Sequence, residues 1–366
     1  MIIYIILTIF TCTIALFVRS EKAENEHVAM TLSAQNLSMQ RARNIIIMSM
    51  IFIALLAVSA LRKAIGHDYW EYTGIFSLIA QDRHVSTEFG FNTLVRLFQA
   101  VFGVENYFWI FAFFAAVTVF FFLRGMFEQA KDFGMTFFLF MVFGYYLTTF
   151  SAVRYYFVLA IAFFATSFLL KKEFWKFAIC IVLASFFHKA VLLVLLAYPL
   201  ALIKWNKITV PLVALFTGSL LLFPNFYRSL IFRFYPFYEN SVYDTGETSV
   251  ANILRCVAVL VFALIFYKRA LKGNRVNMFY FNLNLEALIV YACCSFIPVV
   301  SRIGFFFNIF QIFLIPAVIS SMEKKWQRTL FTILTVTAGI VYYVLFLHSC
   351  KDDGTRIVPY LNWILN

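Results

Sequence analysis

The chain has 366 residues, 63% of them hydrophobic and 13% charged, with a formal net charge of +12. No soluble domain needs that apolar excess, and apolar runs of roughly 17–20 residues, the length a helix needs to cross a bilayer, recur from end to end. The positive charge lies in short loops between these runs, so it reads as membrane topology and not as a nucleic-acid footprint.

In chain order, the runs place about 12 transmembrane helices near 2–18, 44–61, 104–123, 135–150, 152–170, 174–188, 190–203, 208–223, 252–267, 284–300, 303–320 and 329–347. The first lacks a basic n-region and a small-residue cleavage site, which reads as a retained span and not a signal peptide. The run 190–203 is short enough for a tilted span or for part of a broken helix. No large polar segment and no internal repeat interrupts the series. The expectation is an all-α polytopic protein forming a single integral membrane domain over 1–366.

The loops alternate in charge. One side carries 18 basic residues, 11 of them lysine, including Arg19, Lys22, Lys131, Lys171, Lys172 and Lys204. The other carries 12, of which 9 are arginine, including Arg62, Arg83, Arg96, Arg154, Arg255 and Arg302. The richer side is assigned to the cytoplasm, and both termini then face outward. The lysines read as topology signals. A guanidinium kept at an apolar boundary is costly, and its planar, permanently charged fork suits phosphate or carboxylate.

Two outer loops are long, 62–103 and 224–250. The first opens LRKAIGHDYWEYTGIF, where Arg62, His67, Asp68, Glu71 and Tyr72 crowd together. Gly66 permits a tight turn, and Asp68 and Tyr72 share a face if a helix follows. This stretch is either a polar lip over a pocket or a solvated loop with an Arg62–Asp68 pair. Its second half predicts an amphipathic helix in the outer interface, with Phe91, Leu94, Val95, Phe98 and Phe102 on one side and Asn92, Arg96 and Gln99 on the other. Glu88 opens that helix, either as N-terminal charge or as a general base or sugar-hydroxyl ligand. The second loop is aromatic and polar, which suits a membrane-interface belt or the stacking of sugar rings.

Other single residues bear on chemistry. His188 ends an apolar run at the depth predicted for Arg154 and Arg302; it is either an interfacial packing residue or an imidazole able to take a proton from a hydroxyl. The six cysteines show no CxxC or metal-ligand spacing, and five lie in predicted spans, as packing residues do. P-loop, GxGxxG and HExxH patterns are absent. No carboxylate cluster resembles a divalent-metal site, so metal-independent chemistry without a cofactor is expected.

Read in order, these residues resemble the EpsG-like branch of Wzy-type polysaccharide polymerases. The resemblance rests on L-R-x-x-x-G-x-D-x-x-x-Y at Leu61–Tyr72, E-x-G-F at Glu88–Phe91, Arg154 at the start of a span, Phe187-His188, S-R-I-x-x-x-F at Ser301–Phe307 and Pro359-Tyr360. It covers nearly the whole chain and departs from the family's pattern at Tyr155 and Lys189. It implies a bacterial inner-membrane glycosyltransferase acting on the periplasmic face. Its substrates would be oligosaccharide repeat units on undecaprenyl pyrophosphate, joined into O-antigen, capsule or exopolysaccharide. Its partners would be that lipid-linked oligosaccharide, the bilayer, and a chain-length regulator and flippase of the same pathway.

Under this reading Arg154 and Arg302, helped by Arg255, bind pyrophosphate. His188 activates the acceptor hydroxyl, with Glu88 as the rival base. Arg62, Asp68 and Tyr72 shape the outer loop or bind sugar. A flippase for the same lipid-linked unit would instead place charges near mid-membrane and repeat its halves. An O-antigen ligase would share the donor and differ in acceptor.

Overall fold

The computed structural model describes residues 1–19, 34–234, 248–351 and 356–364, with positions 236, 239, 241, 244 and 246; for 34–38 and 234 it gives backbone alone. Lys22 and much of the aromatic segment of the second outer loop lie outside the described residues.

The chain is a succession of helices. The first nine are α1 (Ile2–Ala15), α2 (Ala34–Ala60), α3 (Tyr69–Ala80), α4 (Phe89–Phe102), α5 (Tyr107–Gln129), α6 (Phe133–Val142), α7 (Tyr145–Thr148), α8 (Val153–Leu170) and α9 (Phe174–Ser185). After a 3-10 turn at Lys189–Leu193 come α10 (Val194–Leu200), α11 (Thr209–Leu222), α12 (Pro224–Phe234), α13 (Val250–Ile265) and α14 (Tyr267–Ala270). The series ends with α15 (Arg275–Cys293), α16 (Val300–Asn308), α17 (Gln311–Ser320) and α18 (Lys325–Ser349). Among the described residues, extended pairing is confined to a bridge between Arg62 and Asn362. Short polar side chains fix several helix starts. Asp132 accepts the Met135 amide at 2.9 Å and Asn274 the Asn277 amide at 3.0 Å.

Five stretches are long and apolar enough to cross a membrane: Met39–Ala60, α5, α8, Val300–Ser320 and α18. The pair α11 and α12, bent by 84°, would make a sixth. With the shorter apolar helices among them, the chain is a multi-pass all-helical membrane protein. The expected 12 spans do not each appear as one long helix, for local reasons. The run 135–150 breaks at Gly144, where φ is +78°. The run 190–203 begins as a 3-10 turn and then carries Pro199 inside α10. The span expected at 284–300 is instead α15, which starts at Arg275 and ends at Cys293. Asparagines depress the hydropathy of its first half, yet each finds a backbone partner. Asn277 donates to Ala270 O (2.7 Å), Asn282 to Ala201 O (2.8 Å) and Asn284 to Cys256 O (3.0 Å).

The chain divides into two compact units, Met1–Leu193 with Thr329–Asn366, and Val194–Arg328. In the first, α5 and α8 pack side by side and run parallel. Phe114 meets Phe157 (5.0 Å between rings) near their N-termini, and Thr166 donates to Gln129 (2.8 Å) near their C-termini. At that C-terminal end Arg124 and Lys171 share Glu128, at 2.8 and 3.1 Å. Arg154, at the start of α8, therefore sits at the end opposite to these basic residues assigned to the cytoplasm. Helix α9 returns antiparallel and brings Phe187 against Phe157 (4.8 Å). In the second unit α15 packs on α13, α16 and α17 through a seam of amides and phenols. Gln311 donates to Asn284 (2.6 Å), and Asn308 to the Tyr291 hydroxyl (2.9 Å).

Candidate active site at a helix-end cluster of the first unit

Three helix ends converge at Arg154. Helix α8 starts there, α9 ends just before His188, and α4 starts just after Glu88. The carboxylate of Glu88 joins them. Its Oε2 accepts from Arg154 Nη1 at 2.6 Å. Its Oε1 lies 3.3 Å from His188 Nδ1 and accepts the Lys189 amide at 3.0 Å. Glu88 stands at the N-cap of α4, but its side chain makes no capping bond; the ion pairs take it instead.

The local backbone explains how a loop residue reaches a helix end. The Gly90 amide donates to Phe186 O at 2.9 Å. A Cβ at position 90 would lie 2.8 Å from that oxygen, so only glycine lets the α4 start press against the end of α9. The resulting contact fixes Glu88 between Arg154 and His188.

Aromatic side chains hold the arginine. Its guanidinium carbon lies 5.2 Å from the centre of the Phe91 ring and 5.9 Å from that of Tyr72. The Tyr72 hydroxyl accepts the Arg154 backbone N–H at 3.2 Å. Arg154 Nε is buried and has no hydrogen-bond partner.

Electrostatics set the state of Glu88, whose side chain is 11% exposed. Burial alone would raise its pKa. The His188 hydrogen bond, the charges of Arg154 and His188 and the Lys189 amide outweigh burial and bring it down to about 2. At neutral pH Glu88 is a firmly ionised carboxylate and a weak base.

The other residues singled out in the sequence fall as follows. Asp68 is buried at the N-cap of α3, and its carbonyl accepts the Tyr72 amide at 3.0 Å. Asp68 and Tyr72 thus lie one turn apart, as their spacing predicts. Arg62 is 1% exposed and donates to Ser59 through Nη1. Burial brings its pKa down to about 10, so it stays charged at neutral pH. Arg302 and Arg255 belong to the second unit. Arg302 is the third residue of α16, and its amide donates to Val299 O (2.9 Å). Arg255 Nη2 donates to Asn252 (2.9 Å) on α13.

The amphipathic helix exists as α4, but its faces differ from expectation. Gln99 joins Phe91 and Val95 on the buried stripe because its amide donates to Phe76 O at 2.8 Å, while Leu97 and Val101 face outward. Sequence reasoning placed Phe91 in an apolar face and Gly90 only in a motif. Their roles as ring under the arginine and as close-approach point were not assigned. The E-x-G-F spacing was the available signal.

No curated protein and no solved structure matches the chain. A model of the EpsG family matches residues 45–362, a range that contains Glu88, Arg154, His188 and every other residue of the cluster. The chain therefore belongs to the EpsG family, a family of exopolysaccharide and Wzy-like polymerases.

Proposed function

We propose that the protein joins lipid-linked oligosaccharide repeat units into a polysaccharide on the outer face of the bacterial inner membrane, with undecaprenyl pyrophosphate as the leaving group. The observation that carries this reading is Glu88 held between His188 and Arg154 at a helix-end cluster. An ionised Glu88 beside Nδ1 favours the tautomer protonated on that atom and leaves Nε2 as the base. A carboxylate with a pKa of about 2 is a poor proton acceptor at neutral pH, which favours His188 over Glu88 for that task.

In this scheme His188 Nε2 takes the proton of the acceptor hydroxyl as its oxygen bonds to the anomeric carbon of the donor. The bond from that carbon to the pyrophosphate oxygen breaks, and its electron pair leaves with the lipid pyrophosphate. The proton then passes from His188 to solvent. Arg154 binds the diphosphate and offsets its developing charge through guanidinium donors not engaged by Glu88. Arg302 and Arg255 are cations of the second unit, and alanine at each tests whether they too take part in binding pyrophosphate. Tyr72 and Phe91 hold Arg154 in place, and Asp68, at the N-cap of the helix that carries Tyr72, shapes the outer loop or binds sugar.

The glycan profile of a deletion strain, complemented with single variants, tests the reading. A strain with His188→Ala or Arg154→Ala should build single repeat units and no polymer. Polymer of unchanged length and yield from both variants would contradict the assignment. Loss of transfer to the final acceptor, with intact polymer on the carrier lipid, would indicate a ligase.

A further inference from the structure

Among the described residues Arg62 is the most deeply buried cation of the first unit, and its surroundings are unusual. Among the described residues it makes no ion pair. Its Nη1 donates to the backbone and hydroxyl oxygens of Ser59, and its Nε is buried without a hydrogen-bond partner. Its guanidinium lies between the rings of Phe150 (5.0 Å) and Phe111 (5.4 Å). The phenols of Tyr4, Tyr146 and Tyr360 surround it. Each donates its proton to a backbone carbonyl, at Ile357 (2.8 Å), Leu55 (2.6 Å) and Val58 (3.0 Å). A buried cation is expensive unless such neighbours compensate it, so an arginine held this way calls for a role.

The C-terminal segment pairs with the chain on either side of Arg62. The Lys63 amide donates to Leu361 O, the Trp363 amide to Leu61 O, and the Gly66 amide to Arg356 O, each at 3.0 Å. Lys63 also places its ammonium over the Trp363 ring (5.2 Å). The segment so anchored, from Arg62 to Tyr72, then grips the chain that leads into α8 through four contacts. Arg62 stacks on Phe150. Gly66, at φ +98°, presses against the Phe150 carbonyl with no room for a Cβ. The His67 amide donates to Ser151 Oγ (3.4 Å), and one turn into α3 the Tyr72 hydroxyl receives the Arg154 N–H (3.2 Å).

We infer that Arg62 and the C-terminal segment 356–363 form a brace that sets the position of Arg154, which makes Arg62 a positioning residue of the site although it touches neither Glu88 nor His188. The value of this position for catalysis rests on the reading of Arg154 proposed above; the brace itself does not. A guanidinium displaced by about 1 Å from a reacting group costs on the order of a hundredfold in rate. Arg62→Lys keeps the charge and loses the planar fork. Tyr360→Phe keeps the ring against Tyr4 and removes only the bond to Val58.

The test uses the full chain in membranes, with two readouts. In the first, turnover of lipid-linked repeat units is measured. Arg62→Lys should lose about ten- to a hundredfold in turnover with little change in KM, and Tyr360→Phe about threefold. The second is a coupling measured by melting. Glu88→Gln should lower the melting temperature in the parent chain, and lower it less in the Arg62→Lys and Tyr360→Phe backgrounds, where the Arg154–Glu88 pair is already displaced. An equal drop in all three backgrounds would overturn the brace. If Arg62→Lys does not accumulate in membranes, Tyr360→Phe carries both readouts. Coupling without polymerisation by any chain, parent included, would leave the brace standing and remove the functional reading. Polymerisation that depends on Arg154 but not on Arg62 or Tyr360, with uncoupled melting, would remove the brace alone.

Discussion

The two units keep polar groups in their interiors in different ways. The first unit uses full charges: Arg62 among phenols, and Arg154 with Glu88 and His188. The second unit adds a seam of neutral amides, with Asn282, Asn284, Asn308 and Gln311 bonded to backbone carbonyls or to one another and to Tyr291, and pairs Arg228 with Asp244 (2.5 Å) outside that seam. Neutral amides between helices contribute packing specificity at modest energy. Charges at the edge of a bilayer are costly, and they persist where chemistry or binding uses them. The proposed reading puts the acid–base chemistry at the charged cluster of the first unit and leaves the amide seam of the second to hold helices together.

Substitutions can break or sharpen this contrast. The largest effect is expected from His188→Ala, because a positioned base contributes about a hundred- to ten-thousandfold; polymer formation measured in vitro should fall by that order while the protein still accumulates in membranes. Arg154→Ala follows, with a loss on the order of a hundredfold or more from missing charge stabilisation. Lysine at that position should recover only part of it, since a point charge lacks the fork. Gly90→Ala tests the close approach of α4 to α9. The added Cβ would sit 2.8 Å from Phe186 O, so the segment must shift and Glu88 with it. About a tenfold loss of turnover and a destabilisation of about 1–3 kcal/mol are expected, read by assay and melting.

The Glu88 pairs also predict a dependence of stability on pH. The folded-state pKa lies below the ordinary value of 4.5, at about 2. The contribution is therefore fully present above about 4.5 and is lost as pH falls through about 2. Its size is on the order of 3 kcal/mol. The stability gap between the parent and Glu88→Gln should be constant near neutral pH and should close as pH falls below about 4.5. The smallest effect belongs to the second unit. Asn284→Leu should lower stability by about 1 kcal/mol and leave polymer yield unchanged. A large loss of activity there would erase the distinction between the units.

Much of this was legible in the sequence, and what was not has physical causes. The all-helical membrane class follows from apolar run lengths. The grouping of Arg154 and His188 at one end of the bundle follows from loop charge and run length, because α8 and α9 are antiparallel neighbours joined by a short turn. Glu88 was legible as the start of a helix and as a candidate base or sugar ligand, but not as the partner of Arg154. Its meeting with Arg154 spans 66 residues and depends on a glycine contact that no periodicity encodes. The limits of α15 were misread because hydropathy counts asparagine as exposed, whereas Asn277, Asn282 and Asn284 are paired inside the unit. Gln99 was placed on the wrong face of α4 for the same reason. Arg62 looked like a loop charge, since nothing in its neighbourhood announces that tyrosines at positions 4, 146 and 360 gather around it.

The central claim is that His188, oriented by Glu88, removes the proton of the acceptor hydroxyl. Turnover of lipid-linked repeat units by the purified protein, compared across Glu88→Gln, His188→Ala and the double variant, tests it most directly. The account predicts that Glu88→Gln lowers turnover in the parent and lowers it much less once His188 is alanine, because the carboxylate acts through the imidazole. A loss from Glu88→Gln as large in the His188→Ala background as in the parent would contradict it.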